Sequence, residues 1–340
     1  MFFRPFSAFI ASACLMLAGA SASAGYQYEL LTADGRLIRY LLDSNDQGDM
    51  IGSVPSIPGG SLDGFLRSAD GSTSFWSTSD YLAYPTSINN AGTIVGVNIP
   101  LVGGLPEGFI RSSAGVESPY NFPGALGTIP FGINNDDVIS GFYVTPTGRK
   151  GFLESLSGTL SRTVEFPGAA ETQLFALSNS GLVGGASWDS AGVISPFLYD
   201  VSTETFTLLP KPTTGDNYIV SSVNDSGDAI VFGLGSAAGN YRDVSSFVFD
   251  ASEGTLTQLN VPGAFETYGY DLRNDGSVLG YYQNLDGSFG SFRATDIPEP
   301  SSAMFAMIGV VSIAAGIARR RRCLSSRRVD RPSIRSARRA

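Results

Sequence analysis

Almost all the side chains between residues 25 and 300 that could do chemistry are carboxylates: 30 acids stand against 11 bases, and the whole chain has no histidine. Paired Asp and Glu side chains can serve as acid and base, or as nucleophile, in glycosidase or lyase chemistry. Without histidine, Ser-His-Asp and Cys-His catalysis and imidazole metal ligands are excluded. Both cysteines, Cys14 and Cys323, fall in the terminal segments, which leaves the middle without disulfides or thiolate sites. No carboxylate pair stands apart, because acids such as Asp136-Asp137, Asp225 and Asp275 sit in turns whose local chemistry accounts for them. The segment Asp43-x-Asn45-x-Gln47-Gly48-Asp49 alternates oxygen ligands in the manner of a calcium loop, but the closing bidentate position falls on Val54. No catalytic, cofactor-binding or metal residue is therefore assigned, and no cofactor is expected. Aromatic side chains offer a recognition chemistry instead. Trp76, Tyr81, Tyr84, Trp188, Tyr218, Tyr241, Tyr281 and Tyr282 include rings outside the expected strand centres, where they could stack on sugar faces, with core filling as the competing role.

The elements that must carry these residues repeat. A buried-looking residue, an Asn and a short turn recur at Asn45, Asn89, Asn134, Asn179, Asn224 and Asn274, with spacings of 44, 45, 45, 45 and 50 residues. Six copies at this period mark a repeat architecture. Within each copy, four runs of four to six residues, rich in β-branched and aromatic side chains, are separated by Gly, Pro and Asn. The loop Pro-Gly-Ala recurs at Pro123, Pro167 and Pro262. Four antiparallel strands per period make an all-β fold, a β-propeller of six four-stranded blades, with a β-solenoid as the alternative. The last copy lacks an outgoing strand, and Tyr26 to Leu31 lies where it can supply one, so the N-terminal strand is expected to close the ring. Closure would also remove exposed sheet edges.

The ends carry addresses. Arg4, an apolar run from Phe6 to Ala18 and Ala22-Ser23-Ala24 make residues 1–24 a signal peptide cut after Ala24. The alternative of lipidation at Cys14 is weakened by the apolar residues that follow it. Residues 25–294 form the repeat domain and 295–300 a linker ending in Pro298-Glu299-Pro300. The uncharged run 301–318, bounded by Arg319, Arg320, Arg321 and Arg322, predicts a transmembrane helix whose basic side, 319–340, stays in the cytoplasm. With those ends removed the remainder carries about −19, which argues against nucleic acid or anionic lipid as a partner.

Pro298-Glu299-Pro300, an apolar stretch and an arginine block, in that order and behind a signal peptide, resemble the PEP-CTERM proteins of Gram-negative bacteria. That resemblance implies signal peptidase and an exosortase as processing partners and the cell surface as destination. The tail runs on from Cys323 to Ala340 with six further arginines, a departure that keeps an ordinary tail anchor as the alternative. The Asn-x-x-Gly turns and Gly-Phe-Leu/Ile elements between Tyr26 and Ala294 resemble extracellular HAF-type repeats, which implies a secreted scaffold. The expected function is a non-enzymatic cell-surface or extracellular-matrix scaffold binding exopolysaccharide or an envelope protein. The alternative is a secreted carbohydrate-active enzyme using paired carboxylates. Intact-mass measurement of the exported protein should return a species that begins at Gly25 and ends near Pro300; a species retaining 301–318 would overturn the C-terminal cut.

Overall fold

The computed structural model describes residues 26–33, 36–56, 61–77, 81–213, 216–236 and 244–296. All the regular elements among them are β-strands, arranged as five four-stranded sheets and a sixth of five strands. The chain is a six-bladed β-propeller. Each blade is an antiparallel meander, and the innermost strands are Tyr40–Ser44, Tyr81–Ile88, Gly127–Ile133, Glu171–Leu177, Asp216–Val223 and Glu266–Leu272. In blade six the outer strand is Tyr26–Ala33, which pairs antiparallel with Phe289–Asp296 from Tyr26 opposite Asp296 to Leu31 opposite Ser291. The N-terminal strand closes the ring as expected.

One steric device builds the blades. The second strand of five blades carries a glycine directly opposite a phenylalanine of the third: Gly52 and Phe65, Gly96 and Phe109, Gly141 and Phe152, Gly185 and Phe197, Gly280 and Phe292. All five rings are 0 or 1% exposed. The ring lies over the glycine, and a Cβ there would meet it at 2.5–3.0 Å. In blade five Val231 takes the glycine's place opposite Phe247, and that ring is only half-buried.

The Pro-Gly-Ala loops are tight turns of type II character. Pro sits at the second position and Gly124, Gly168 and Gly263 follow at φ of 79°, 78° and 83°, with Ala125, Ala169 and Ala264 donating back to Phe122, Phe166 and Val261. A threonine six residues on fixes each loop: Thr128, Thr172 and Thr267 accept from the amides of Phe122, Phe166 and Val261 at 2.8–3.0 Å.

The expectation of a transmembrane helix is corrected. No described residue is helical, and among the described residues no helix is long and apolar enough to cross a membrane. The run 301–318 to which that helix was assigned lies outside the described residues, as do 1–24, Pro298-Glu299-Pro300 and Arg319 to Arg322.

Gly280, with Gly52, is the tightest of the glycine sites. Its Cβ would stand 2.0 Å from the Tyr268 carbonyl oxygen as well as 3.0 Å from the Phe292 ring. Gly280→Ala should therefore cost about 3 kcal/mol, the upper part of the range for overpacking a well-filled core. Denaturant unfolding of the two proteins measures this, and a loss below about 0.5 kcal/mol would show that the site relaxes freely.

Candidate functional site

The turns come first, because they order the rim of the ring. Asn45 accepts from the amides of Gln47 and Asp49 at 3.1 and 2.9 Å, which caps its own turn, and donates to the Asn89 carbonyl of the next blade at 3.2 Å. Asn89 does the same, accepting from Ala91 and Thr93 and donating to the Asn134 carbonyl. Asn134 and Asn224 also cap their own turns. In blade four this position is held by Ser178, whose hydroxyl accepts from Leu182, and in blade six by Arg273. Asn179 and Asn274 stand one residue further on. Their side chains accept from the amides of Asn135 and Asp225 in the preceding blade at 2.8 and 2.9 Å, as Asn90 accepts from Asp46 at 3.0 Å. The six candidate asparagines thus divide between two interlocking roles. Gly48, Gly92, Gly181, Gly227 and Gly276, each three residues after the capping position, carry the register that the asparagines alone obscure. Blade three has no glycine there, and Asp137 adopts φ of 56° instead. In the calcium-like segment, Asp43 accepts from Ile88, Asn45 caps its turn and the Gln47 amide nitrogen donates to the Asn90 carbonyl, so the three side chains serve separate partners.

Just before each capping residue the innermost strand carries a β-bulge, at the same place in all six blades. The extra residues are Leu42, Thr86, Phe131, Phe175, Ser221 and Tyr270, and all six line a cavity on the ring axis. In four blades the residue after the bulge reaches toward the next blade. Asp43 accepts from the Ile88 amide at 2.8 Å, Ser87 from Ile133 at 3.2 Å and Ser222 from Leu272 at 2.9 Å. Asp271 accepts from the Ser44 hydroxyl at 2.6 Å across the seam where the ring closes. Gly132 and Ala176 hold the two remaining places and have no side chain that could do this.

The cavity has a volume of about 640 Å³ and is lined by residues of all six blades. Eight aromatic rings face it: Tyr40, Tyr84, Phe131, Phe142, Phe175, Phe232, Tyr270 and Tyr281. They pack on one another; Tyr270 stacks on Tyr281 at 5.5 Å, Tyr40 meets Tyr281 edge-on at 5.0 Å, and Phe131 meets Phe175 edge-on at 5.1 Å. Of the aromatics singled out in the sequence, Tyr84 and Tyr281 are here. Tyr218 lies in the core of blade five, Trp76 packs under Arg111 at 4.5 Å, and Tyr81, Trp188 and Tyr282 are half-buried. Tyr241 lies outside the described residues. The other cavity rings went unrecognised, although Phe142 directly follows Gly141 as Tyr281 follows Gly280, and the strand period of two sends both to the opposite face from the buried phenylalanines.

The cavity also brings together two carboxylates that sequence reasoning did not pair. Asp43 and Asp271 come from adjacent blades and both line it. Burial raises Asp271 to about 6, against the opposing pull of the Ser44 hydrogen bonds and of Arg273. Asp43 is raised well above the usual carboxylate range, first by burial and then by the charge of Asp271, with hydrogen bonds from Ser87 and Ile88 acting the other way.

No protein-family profile matches the chain, and no curated protein matches it at a significant level. Among solved structures it is similar to TolB from Acinetobacter baumannii, at 14% identity and a TM-score of 0.49, over 86% of this chain and 71% of that one. It is similar to virginiamycin B lyase from Staphylococcus aureus at 12% identity and a TM-score of 0.46, over 81% and 89%. It is also similar to a variant of Aleuria aurantia lectin at 9% identity and a TM-score of 0.46, over 80% and 96%.

A carboxyl whose pKa is higher in the folded than in the unfolded protein stabilises the fold below its unfolded value and loses that contribution as pH rises through the folded value. Asp43 and Asp271 therefore favour the fold at acid pH, and the Asp271 part is lost through about pH 6. Asp200, Asp250 and Asp286 are lowered by hydrogen bonds from following serines and act in the opposite sense, losing their contribution only under stronger acid. Thermal unfolding should be most resistant near pH 5 and decline toward pH 8, and Asp271→Asn should flatten that decline. A melting temperature rising steadily from pH 5 to 8 would contradict this assignment.

Proposed function

We propose that the chain is an exported, non-enzymatic cell-surface or matrix protein that binds its ligand, an exopolysaccharide segment, in the axial cavity. The observation that carries this is the cavity itself: eight aromatic rings around about 640 Å³ on the ring axis, a size and lining suited to a small ligand or a glycan end. The rings supply flat apolar faces for sugar rings, and the asparagine and aspartate rim supplies hydrogen bonds. Export to the surface is read from the two terminal signals, Ala22-Ser23-Ala24 and Pro298-Glu299-Pro300 with its arginine block. A PEP-CTERM-type sorting route is part of the same proposal.

A second reading, a carbohydrate-active enzyme, is favoured by one feature. Asp43 and Asp271 face one cavity and are both raised, with Asp271 near 6, as an acid–base pair requires. Against it, each carboxylate already accepts a hydrogen bond from the neighbouring blade, which gives both a place in ring closure. A glycan array on the exported protein, with release of reducing ends followed on the same glycans, separates the two. Binding without turnover is the expected result. Turnover abolished by Asp271→Asn would establish the enzyme, and absence of both binding and turnover would leave a passive scaffold.

A further inference from the structure

The cavity has two unlike poles. At the position after the bulge, blades six and one carry Asp271 and Asp43, whereas blades three and four carry Gly132 and Ala176. In a ring of six, blades three and four stand diametrically opposite blades six and one. At the bulge itself the same division holds for aromatic character: Tyr270 lies at the first pole, and Phe131 and Phe175 at the second, where Phe142 joins them. One pole therefore offers carboxylates and phenol hydroxyls, and the other offers phenyl rings. Among the described residues the carboxylic and basic side chains lining the cavity are Asp43, Asp46, Asp225 and Asp271 with Arg273, so acids outnumber bases and the lining is acidic.

An anionic ligand such as a uronate would meet like charge in a confined space of reduced dielectric, where repulsion is stronger than at an open surface. A neutral sugar would gain the rings and could donate hydroxyl hydrogen bonds to the carboxylates, but it brings no opposite charge to them. An ammonium group, by contrast, gains a charge-assisted hydrogen bond at Asp43 or Asp271 and cation–π contact with the tyrosines beside them.

We infer that the cavity selects a two-ended cation, with an ammonium held between blades six and one and an apolar or sugar-ring body against the phenylalanines of blades three and four. This rests on the cavity being the binding site. Among exopolysaccharides it singles out those with free amino sugars over their N-acetylated or uronate counterparts.

Four probes test it by calorimetry on the exported protein: the trimers of glucosamine, N-acetylglucosamine and galacturonate, and 4-phenylbutylamine, which keeps the ammonium and an apolar body without a sugar. The glucosamine trimer should bind at least about tenfold more tightly than either other trimer, the gain expected of one charge-assisted contact. Asp271→Asn, which keeps an acceptor for Ser44, should erase most of that preference, while Phe175→Leu should weaken all four probes alike. Equal affinity for the three trimers would overturn the cation selection and leave the saccharide site standing, and a preference for galacturonate would overturn it outright. Tight binding of 4-phenylbutylamine without any trimer would uphold the cation selection and overturn the exopolysaccharide reading. Failure of all four probes would overturn the inference, and the array result would then decide whether a saccharide site exists at all. Because the wild-type comparison alone is decisive, a variant that fails to fold does not protect the inference.

Discussion

Each blade must be held to the next, and the bulge in the innermost strand is the constraint on which that depends. A regular strand would alternate its side chains between the two faces of the blade. One extra residue re-aims the following side chain toward the neighbouring blade. That is why Asp43, Ser87, Ser222 and Asp271, from four different blades, each accept a hydrogen bond from the next: three from a backbone amide and Asp271 from the Ser44 hydroxyl. The same bulge pushes Leu42, Thr86, Phe131, Phe175, Ser221 and Tyr270 to the axis, so one backbone irregularity both joins the blades and lines the cavity. Thr86 and Ser221 add a bond of their own, donating to the Pro130 and Gly269 carbonyls across the seams.

The two blades without such a side chain close by a different means. A Cβ on Gly132 would come within 2.9 Å of the Leu177 amide nitrogen, so the neighbouring strand occupies the place where a linking side chain would stand. Ala176 packs instead with Val220 and Tyr218 of the blade-five core. Edge-on contact of Phe131 with Phe175 then spans the seam between blades three and four, an aromatic pair replacing a hydrogen bond. The turns still hydrogen-bond across these seams, from Asn135 to Asn179 and from Ser180 to Asp225, so it is only at the level of the bulge that attachment is polar on one side of the ring and apolar on the other, and that difference gives the cavity its two poles.

The fold was legible in the sequence because its signals are local and repeated. The glycine turns, the Gly-Phe-Leu/Ile elements and the 45-residue period all report short-range geometry, and the unpaired Tyr26–Leu31 segment followed from counting strands. The alignment slipped at Asn179 and Asn274 because Asn serves at two adjacent turn positions; the glycine three residues after the cap distinguishes them, and Ser178 and Arg273 show that the cap need not be Asn. The carboxylate pair was not legible. Asp43 and Asp271 are 228 residues apart, and their approach depends on which strand closes the ring and on a bulge that leaves no composition signature. Apart from Tyr84 and Tyr281, the cavity aromatics were hidden for a related reason: in a blade buried on both faces, a ring that packs against its neighbour and one that lines the axis look alike.

The closure seam carries two demands that pull in opposite directions. Asp271 joins the last blade to the first through Ser44, and its burial disfavours the charged form that would hold a cation most strongly. Arg273, standing where other blades have Asn or Ser, lies close enough to favour the charged form again. Arg273 thus answers a local need that the repeat by itself does not create. In the blades with serine at the position after the bulge, no charge is buried and no cation is required at the cap. Blade six, where Asp271 closes the ring, has arginine at the cap, whereas blade one buries Asp43 behind an asparagine cap, so the arginine accompanies the closing carboxylate and not buried aspartate in general.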